Sequence, residues 1–416
     1  MALKHTHIKE FAKNKLKRTL NFFEVVCSGV GIIMGAGIYA LIGAASAYSG
    51  NSLWFAFVLA AIIAAFTGLS YAELSSVFKS DSSEYEYAKN AFNKNIAVIM
   101  GIFVIITGIF TIATVSIGFS NYFNALFGAP LFLSAVALIF ALSLVNLKGI
   151  KLSTEIMIVA TFLEIIGLLA VIILGIKYWG NVNLLSFDFG LQGILQATAL
   201  IFFAYMGFES LVKLEEETKN PQKTIPKALI LSIIISSVFY ILTSISAISM
   251  LGYEQLSASK APLADAVSIS LGKYAFIVLA VIALFATLST VLGSMVTTSR
   301  ITYGLAKEKA IPQSLSKISQ KTHTPWLAII LISLLAIVFL FFEDISLIAN
   351  ITNISTFITF AFVNASALIL RYRIDPKKFK FRINFLNIGR FSVISLLGLL
   401  TSLLMLVYSV INIASA

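Results

Sequence analysis

The feature that most constrains this chain is a succession of long apolar runs separated by short polar ones. Eleven are recognisable, at 21–47, 52–78, 96–126, 130–147, 152–176, 192–212, 226–251, 273–305, 325–342, 345–370 and 388–413. Each is long enough to cross a bilayer as a helix, which takes roughly 17–25 residues. A backbone in lipid has no water for its amide and carbonyl groups, so a spanning segment must bond to itself, as a helix does. The period-two alternation of a membrane barrel is absent. The expected fold class is an all-α polytopic membrane protein. Composition agrees: 59% of the 416 residues are hydrophobic and 12% are charged, about half the charge of an ordinary soluble domain. A soluble enzyme, a nucleic-acid binder and a disulfide-stapled secreted domain are excluded.

The formal net charge is +11, and its placement carries more than its size. With eleven crossings the loops fall into two alternating sets. One set, which includes the N-terminus, holds 27 of the 30 Lys and Arg residues, and the other holds Lys177, Lys260 and Lys273. Positive residues stay cytoplasmic. The expectation is a multi-pass protein of the cell membrane with its N-terminus inside and, the count being odd, its C-terminus outside. The basic N-terminus, residues 1–20, and the stretch from Arg371 to Arg390 read as topology signals that can touch anionic headgroups. The apolar run before Ala45-Ser46-Ala47 exceeds a signal-peptide core of roughly 7–15 residues. Cys27 is the one cysteine and reads as a packing residue. His5, His7 and His323 lie outside the apolar runs, so neither a metal site nor a cofactor motif is expected. Between runs there is no room for a soluble domain of 50 residues or more. The loop 252–272 is partly amphipathic, and reads either as a connector or as a short helix over an external opening. Oligomeric state is not readable.

The informative runs are the first and the sixth. The first contains Gly29, Gly31, Gly35 and Gly37, and glycine weakens a helix by ~1 kcal/mol relative to alanine. Close helix packing is the alternative use of such glycines. The sixth contains Phe202-Phe203-Ala204-Tyr205-Met206-Gly207-Phe208-Glu209. The two runs are five apart, the spacing expected if residues 21–176 and 192–370 are two repeats running oppositely, with 388–413 an additional helix. Interrupted helices at matching positions of inverted halves point to a transporter site near the bilayer midplane.

The chemistry follows from helix ends. A half-helix beginning near Gly35–Gly37 presents free N–H groups to an anion. The half ending near Ile32–Met34, and the one ending near Phe203–Tyr205, present carbonyls to a cation. A zwitterion fits between them, so the expected substrate is an α-amino acid or a similar molecule. The candidate substrate-binding residues are Ile33, Met34, Gly35, Ala36, Gly37, Phe203, Ala204, Tyr205, Gly207 and Phe208. Thr107 and Thr111, an i, i+4 polar stripe in the third run, either face the cavity or serve helix packing.

The stretch Gly31-Ile32-Ile33-Met34-Gly35-Ala36-Gly37-Ile38-Tyr39 resembles the first-helix signature of the amino acid–polyamine–organocation superfamily. Phe202 to Glu209, then Glu216-Glu217-Thr218-Lys219-Asn220-Pro221 and Ile225-Pro226, is similar to that family's sixth helix and following loop. Tyr71-Ala72-Glu73-Leu74, Ala261-Pro262-Leu263-Ala264 and the run from Arg300 through Ala306-Lys307-Glu308 to Pro312 match in order, covering residues ~20–312. The resemblance implies a five-plus-five inverted repeat (LeuT-like) and amino acid transport by alternating access. Three departures stand out. Residues 79–87 keep the family's tyrosines (Tyr85, Tyr87) without its proline and paired glycines. Eleven helices stand in place of the usual twelve. Glu164 stands where the resemblance places a lysine in several proton-coupled members.

Glu164 lies mid-way along the fifth run, and an ionised carboxylate there costs ~2.5–3.5 kcal/mol. It reads as a proton-carrying coupling group, as a Na⁺ ligand together with Ser289 and Thr290, or as a carboxylate hydrogen-bonded to a neighbouring helix without a coupling role. The coupling ion is thus H⁺ or Na⁺. Glu209 is expected to cap the half-helix after Gly207 rather than touch substrate. Glu215, Glu216 and Glu217 with Lys219 and Arg300 read as a gating network or as a solvated cluster. Asn350, Asn353 and Asn364 have the same standing as the threonines. The first reading is a proton-coupled symporter or an exchanger of amino acids. A sodium-coupled symporter, an amine or polyamine transporter, a channel and a non-transporting amino acid sensor stay open. An enzyme lacks a nucleophile, metal or redox group.

Overall fold

The computed structural model of the chain describes residues 20–78, 83–214, 218–342, 344–384 and 386–414. The readings made on residues 1–19, on the loop residues 79–82 and on Glu215–Glu217 lie outside the described residues. The helices are α1 (Phe22–Ile33), α2 (Ala36–Ser49), α3 (Leu53–Ser75), α4 (Ser83–Ala91), α5 (Lys94–Phe127), α6 (Leu131–Lys148) and α7 (Ile150–Gly175). They continue with α8 (Gly190–Ile201), α9 (Pro221–Leu251), α10 (Tyr253–Ala258), α11 (Pro262–Lys307), α12 (Trp326–Phe339), α13 (Ile345–Arg373) and α14 (Val393–Ala414). A two-stranded antiparallel ribbon, β1 (Asn387–Ile388) with β2 (Phe391–Ser392), joins α13 to α14.

Among the described residues nine stretches are long and apolar enough to cross a membrane. One of them, Ala36–Ser75, contains both α2 and α3; Phe22–Ile33 and Trp326–Phe342 are apolar but shorter. The chain is a multi-pass membrane protein. Every apolar run read from the sequence carries one of these helices, and the ends differ for local reasons. α9 starts at Pro221 rather than 226, because a proline at the first helical position gives up no hydrogen bond. α11 reaches back to Pro262 through a kink at Gly272, whose φ of 70° falls in the left-handed region. The loop 252–272 is therefore mostly helical, and its Leu256, Leu263 and Ala264 are buried. The last run begins at Val393, since residues 387–392 form the ribbon. Asn21 and Glu24 start α1 with reciprocal side-chain to backbone bonds, the capping box.

Helix packing sorts the side chains. α3 lies along α9, α5 and α7 along α11, α13 along α14, and α2 along α8. The faces left outside are apolar, with Leu133, Phe140, Ile173 and Val407 among the exposed residues. Lipid tails are as apolar as leucine, so a spanning bundle need not hide such residues. Inside are polar groups. Arg371, read from the sequence as part of a basic topology signal, is only 1% exposed. Its guanidinium lies 2.5 Å (Nε) and 2.6 Å (Nη2) from the two carboxylate oxygens of Glu73. The same guanidinium donates to Asn387 Oδ1 (2.9 Å) and to the Ile383 carbonyl (3.1 Å). This brace binds the ends of α3 and α13 to the connector that leads to α14.

Candidate functional site

The first apolar run is interrupted where its glycines predict. α1 ends at Ile33, Met34 leaves helical geometry (φ −75°, ψ 44°), and Gly35 precedes α2 in an extended conformation. The Val30 carbonyl accepts the Met34 N–H (2.7 Å), and the Gly35 N–H turns back onto the Ile33 carbonyl (2.8 Å). On the other side of the break the Ala36 N–H donates to Thr290 Oγ1 (3.0 Å). Gly37 and Ile38, next along α2, have no acceptor within their own helix by position.

The sixth run is interrupted too. α8 ends at Ile201, Phe202–Tyr205 tighten into a 3₁₀ turn, Met206 is extended, and Gly207 has φ 111°. Phe208–Leu214 continues as 3₁₀ rather than α-helix. Glu209 caps this break, its Oε2 accepting the Gly207 N–H at 2.9 Å. The broken end of α8 is served from α13: Asn353 Nδ2 donates to the carbonyls of Ala199 (2.7 Å) and Leu200 (3.1 Å).

The two breaks face each other. A Cβ on Gly37 would lie 2.5 Å from Ala204 Cα, and one on Gly207 would lie 3.0 Å from the Ile32 carbonyl oxygen. Only glycine admits this approach, and Gly207 also needs its positive φ. Ile33, Met34, Gly35, Ala36, Gly37, Phe203, Ala204, Tyr205 and Phe208 come together as buried residues, with Gly207 half-buried. Tyr205 donates to the Phe57 carbonyl (3.0 Å). Tyr71, Phe202, Phe208, Phe357 and Phe360 form a contiguous set of tilted and edge-on aromatic contacts beside the second break.

Glu164 and Ser289 also meet, with Thr290 the next residue of α11. Phe162 and Ile166 point outward, 66% and 56% exposed, while Glu164 between them is wholly buried. Ser289 donates to Glu164 Oε1 at 2.6 Å. The next residue, Thr290, receives the first N–H of α2, so the carboxylate and the α1–α2 break share one wall. Glu164 Oε2 has no hydrogen-bond partner, and no cationic side chain pairs with Glu164 among the described residues. Tyr39 of α2 donates to the Glu164 carbonyl (2.8 Å) and accepts, through its own carbonyl, the Tyr122 hydroxyl (3.1 Å).

Thr107 and Thr111 are linked within their own helix. Thr111 donates to the Thr107 carbonyl in its own helix (2.8 Å), and among the described residues no hydrogen bond joins either threonine to the breaks. α5 meets α2 at Gly118 and Tyr122, and Gly118 is seven residues or ~10 Å of helix beyond Thr111. Asn350 bonds to Ser346 of its own helix and to Asn412, and Asn364 to Phe360 and Thr67. Both serve helix packing. Lys219 ties its backbone N–H to Leu20 (2.8 Å).

One residue that sequence reasoning missed is Tyr240 of α9. Its hydroxyl lies 2.6 Å from the Ile33 carbonyl oxygen and 2.8 Å from that of Ala204, between the two breaks. The available signal was a tyrosine deep in an otherwise apolar run, since a buried phenol needs a partner.

A family model described as amino acid permease matches residues 20–416. The chain is 29% identical over 393 residues to the vacuolar cationic amino acid transporter 4 of Arabidopsis thaliana, covering 88% of this chain and 65% of that protein. It is 26% identical over 395 residues to a branched-chain amino acid permease of Bacillus subtilis (strain 168), covering 88% and 84%. It is 27% identical over 398 residues to the methylthioribose transporter of the same bacterium, covering 90% and 85%. The chain thus spans just under two thirds of the plant transporter and most of the two bacterial ones.

Proposed function

The chain belongs to the amino acid permease family, and from that premise we propose that it is a secondary active transporter of amino acids working by alternating access in a cell membrane. The family and these relatives are transporters, not enzymes. The observation that carries the reading is the meeting of two interrupted helices, one break offering N–H groups at Gly37 and Ile38 and both offering carbonyls. The N–H groups receive the substrate carboxylate, and the carbonyls of Ile32–Met34 and Phe203–Tyr205 receive its ammonium. Residues 21–176 and 192–370 form the two inverted repeats of a LeuT-like core, and 388–413 contributes a helix outside it.

Glu164 supports coupling to protons. A buried carboxylate with one bare oxygen and no paired cation carries a charge that a proton on Oε2 would cancel. Sodium is the second reading, favoured by the Ser289 hydroxyl 2.6 Å from the Glu164 carboxylate, with the Thr290 hydroxyl on the next residue, oxygen donors of the type that hard cations take. The test is uptake into liposomes across a panel of amino acids, amines, polyamines and methylthioribose, with sodium and pH gradients imposed separately. Saturable flux of an amino acid, driven by the inward proton gradient, is the expected result. Flux only of carboxylate-free amines would move the substrate class, and sodium drive would move the ion. Non-saturating flux marks a channel, binding without flux marks a sensor, and no binding at all overturns the proposal.

A further inference from the structure

We propose that the Tyr240 hydroxyl is a built-in stand-in for the substrate ammonium, which lets the carrier close and reorient without cargo. The inference rests on the amino acid transport reading and adds a step to its cycle.

Tyr240 is fully buried, and its ring is held edge-on by Tyr205 (5.2 Å between centroids) and tilted against Phe57 (5.8 Å). The aim of its hydroxyl is therefore set by packing. That hydroxyl sits between the Ile33 and Ala204 carbonyl oxygens, the two helix ends that the charge argument assigns to an ammonium. A phenol has one hydrogen and an ammonium has three. The Ile33 carbonyl already accepts the Gly35 N–H. For the Ala204 carbonyl, no donor other than Tyr240 is seen among the described residues. The tyrosine thus meets the minimum need of the pair, and an amine meets it more fully.

A symporter must return empty, and on that stroke its binding oxygens are withdrawn from water. A buried carbonyl left without a donor pays the full desolvation penalty, which would stall the closed, unloaded carrier. The tyrosine removes that obstacle from within the chain. When substrate arrives, its ammonium displaces the hydroxyl and takes both carbonyls, so the same group weakens loaded binding. Tyr240 acts here as a positioning residue. An amine-free analogue of the substrate, with the same carboxylate and side chain, has no reason to displace it.

The experiment compares wild type with Tyr240→Phe in liposomes, using the amino acid that wild type transports. The expected result has two parts. Net uptake, which requires the empty return, falls at least roughly tenfold while exchange against internal substrate persists. Affinity for the amino acid tightens by roughly tenfold, the worth of a buried hydrogen bond, while affinity for its deaminated analogue is unchanged. If the variant is unstable alone, saturating amino acid supplies the missing donor and should rescue its purification. A variant that fails to fold even with ligand, or loses exchange and net uptake equally, or binds the amino acid no tighter, overturns the inference. A wild type that neither binds nor moves any amino acid overturns the transport reading instead.

Discussion

Two buried carboxylates in this bundle are treated in opposite ways. Glu73, on α3, is matched oxygen for oxygen by the Arg371 guanidinium and also accepts the Ile383 N–H (3.1 Å). Glu164, on α7, receives one serine hydroxyl, and its second oxygen is left bare among the described residues. Each is about equally inaccessible, at 1% and 0% exposure. The difference is in what surrounds them. A fully satisfied ionic cluster has one stable arrangement and acts as a brace. A half-satisfied carboxyl next to a helix break keeps chemistry in reserve. Burial of a charge in the bilayer marks a residue as worth examining, and its hydrogen-bond inventory says whether the role is structural or functional.

The comparison can be broken most forcefully at the brace. Arg371→Met leaves Glu73 buried without its cation, and removing one partner of a buried pair costs about 3–5 kcal/mol. The variant is expected to melt far below wild type in detergent, or to fail to accumulate. A melting temperature equal to wild type would mean the pair braces nothing.

Next in size is Gly37→Leu at the facing breaks. Its first side-chain atom would sit against the Ala204 backbone, so the breaks must move apart. Uptake and ligand-induced thermal stabilisation are both expected to vanish while the folded protein is still recovered. Persisting uptake would separate substrate binding from this contact.

Glu164→Gln sharpens the contrast directly. The amide oxygen can keep the Ser289 bond, so stability should change by less than about 1.5 kcal/mol, within the ordinary range for a single substitution. Uptake should lose its dependence on the proton gradient while exchange of substrate continues. A variant still driven by the gradient removes Glu164 from coupling. A variant as damaged as Arg371→Met would make the two carboxylates alike after all.

Thr111→Val is expected to do least. A hydroxyl bonded to its own helix contributes little, so uptake and melting should match wild type, with a stability change near ~0.5 kcal/mol. A large loss of affinity would place α5 in the substrate site.

Much of the architecture was legible before any coordinates. Lipid as solvent imposes helices on apolar runs, and every run carries a helix, with errors of several residues at ends such as 221 and 393; the polar α4 (Ser83–Ala91) lies outside the runs. The breaks were legible at Gly35 and Gly207, because glycine and the absence of a side chain act on the backbone at their own position. The sequence grouped Glu164 with Ser289 and Thr290 as ion-group candidates; the packing bonds Ser289 to Glu164 and turns Thr290 to the first N–H of α2. The cap by Glu209 was legible for a similar local reason, since its partner is two residues away.

Other assignments depended on which faces the helices turn to one another. Arg371 looked like one more basic residue in a topology signal; its partner is 298 positions distant in the chain. Tyr240 lies unremarked in an apolar run of the sequence, and it joins carbonyls 207 and 36 positions away. Asn353 and Asn364 were indistinguishable in sequence, yet one caps the broken end of α8 and the other holds α13 to α3. By itself the chain's sequence determined where helices form, where they break and which way the charge is distributed, because solvent and backbone act on each residue locally. Only the tertiary structure decided which buried polar groups satisfy one another, because that depends on helix rotation and approach, set by the packing of many side chains at once.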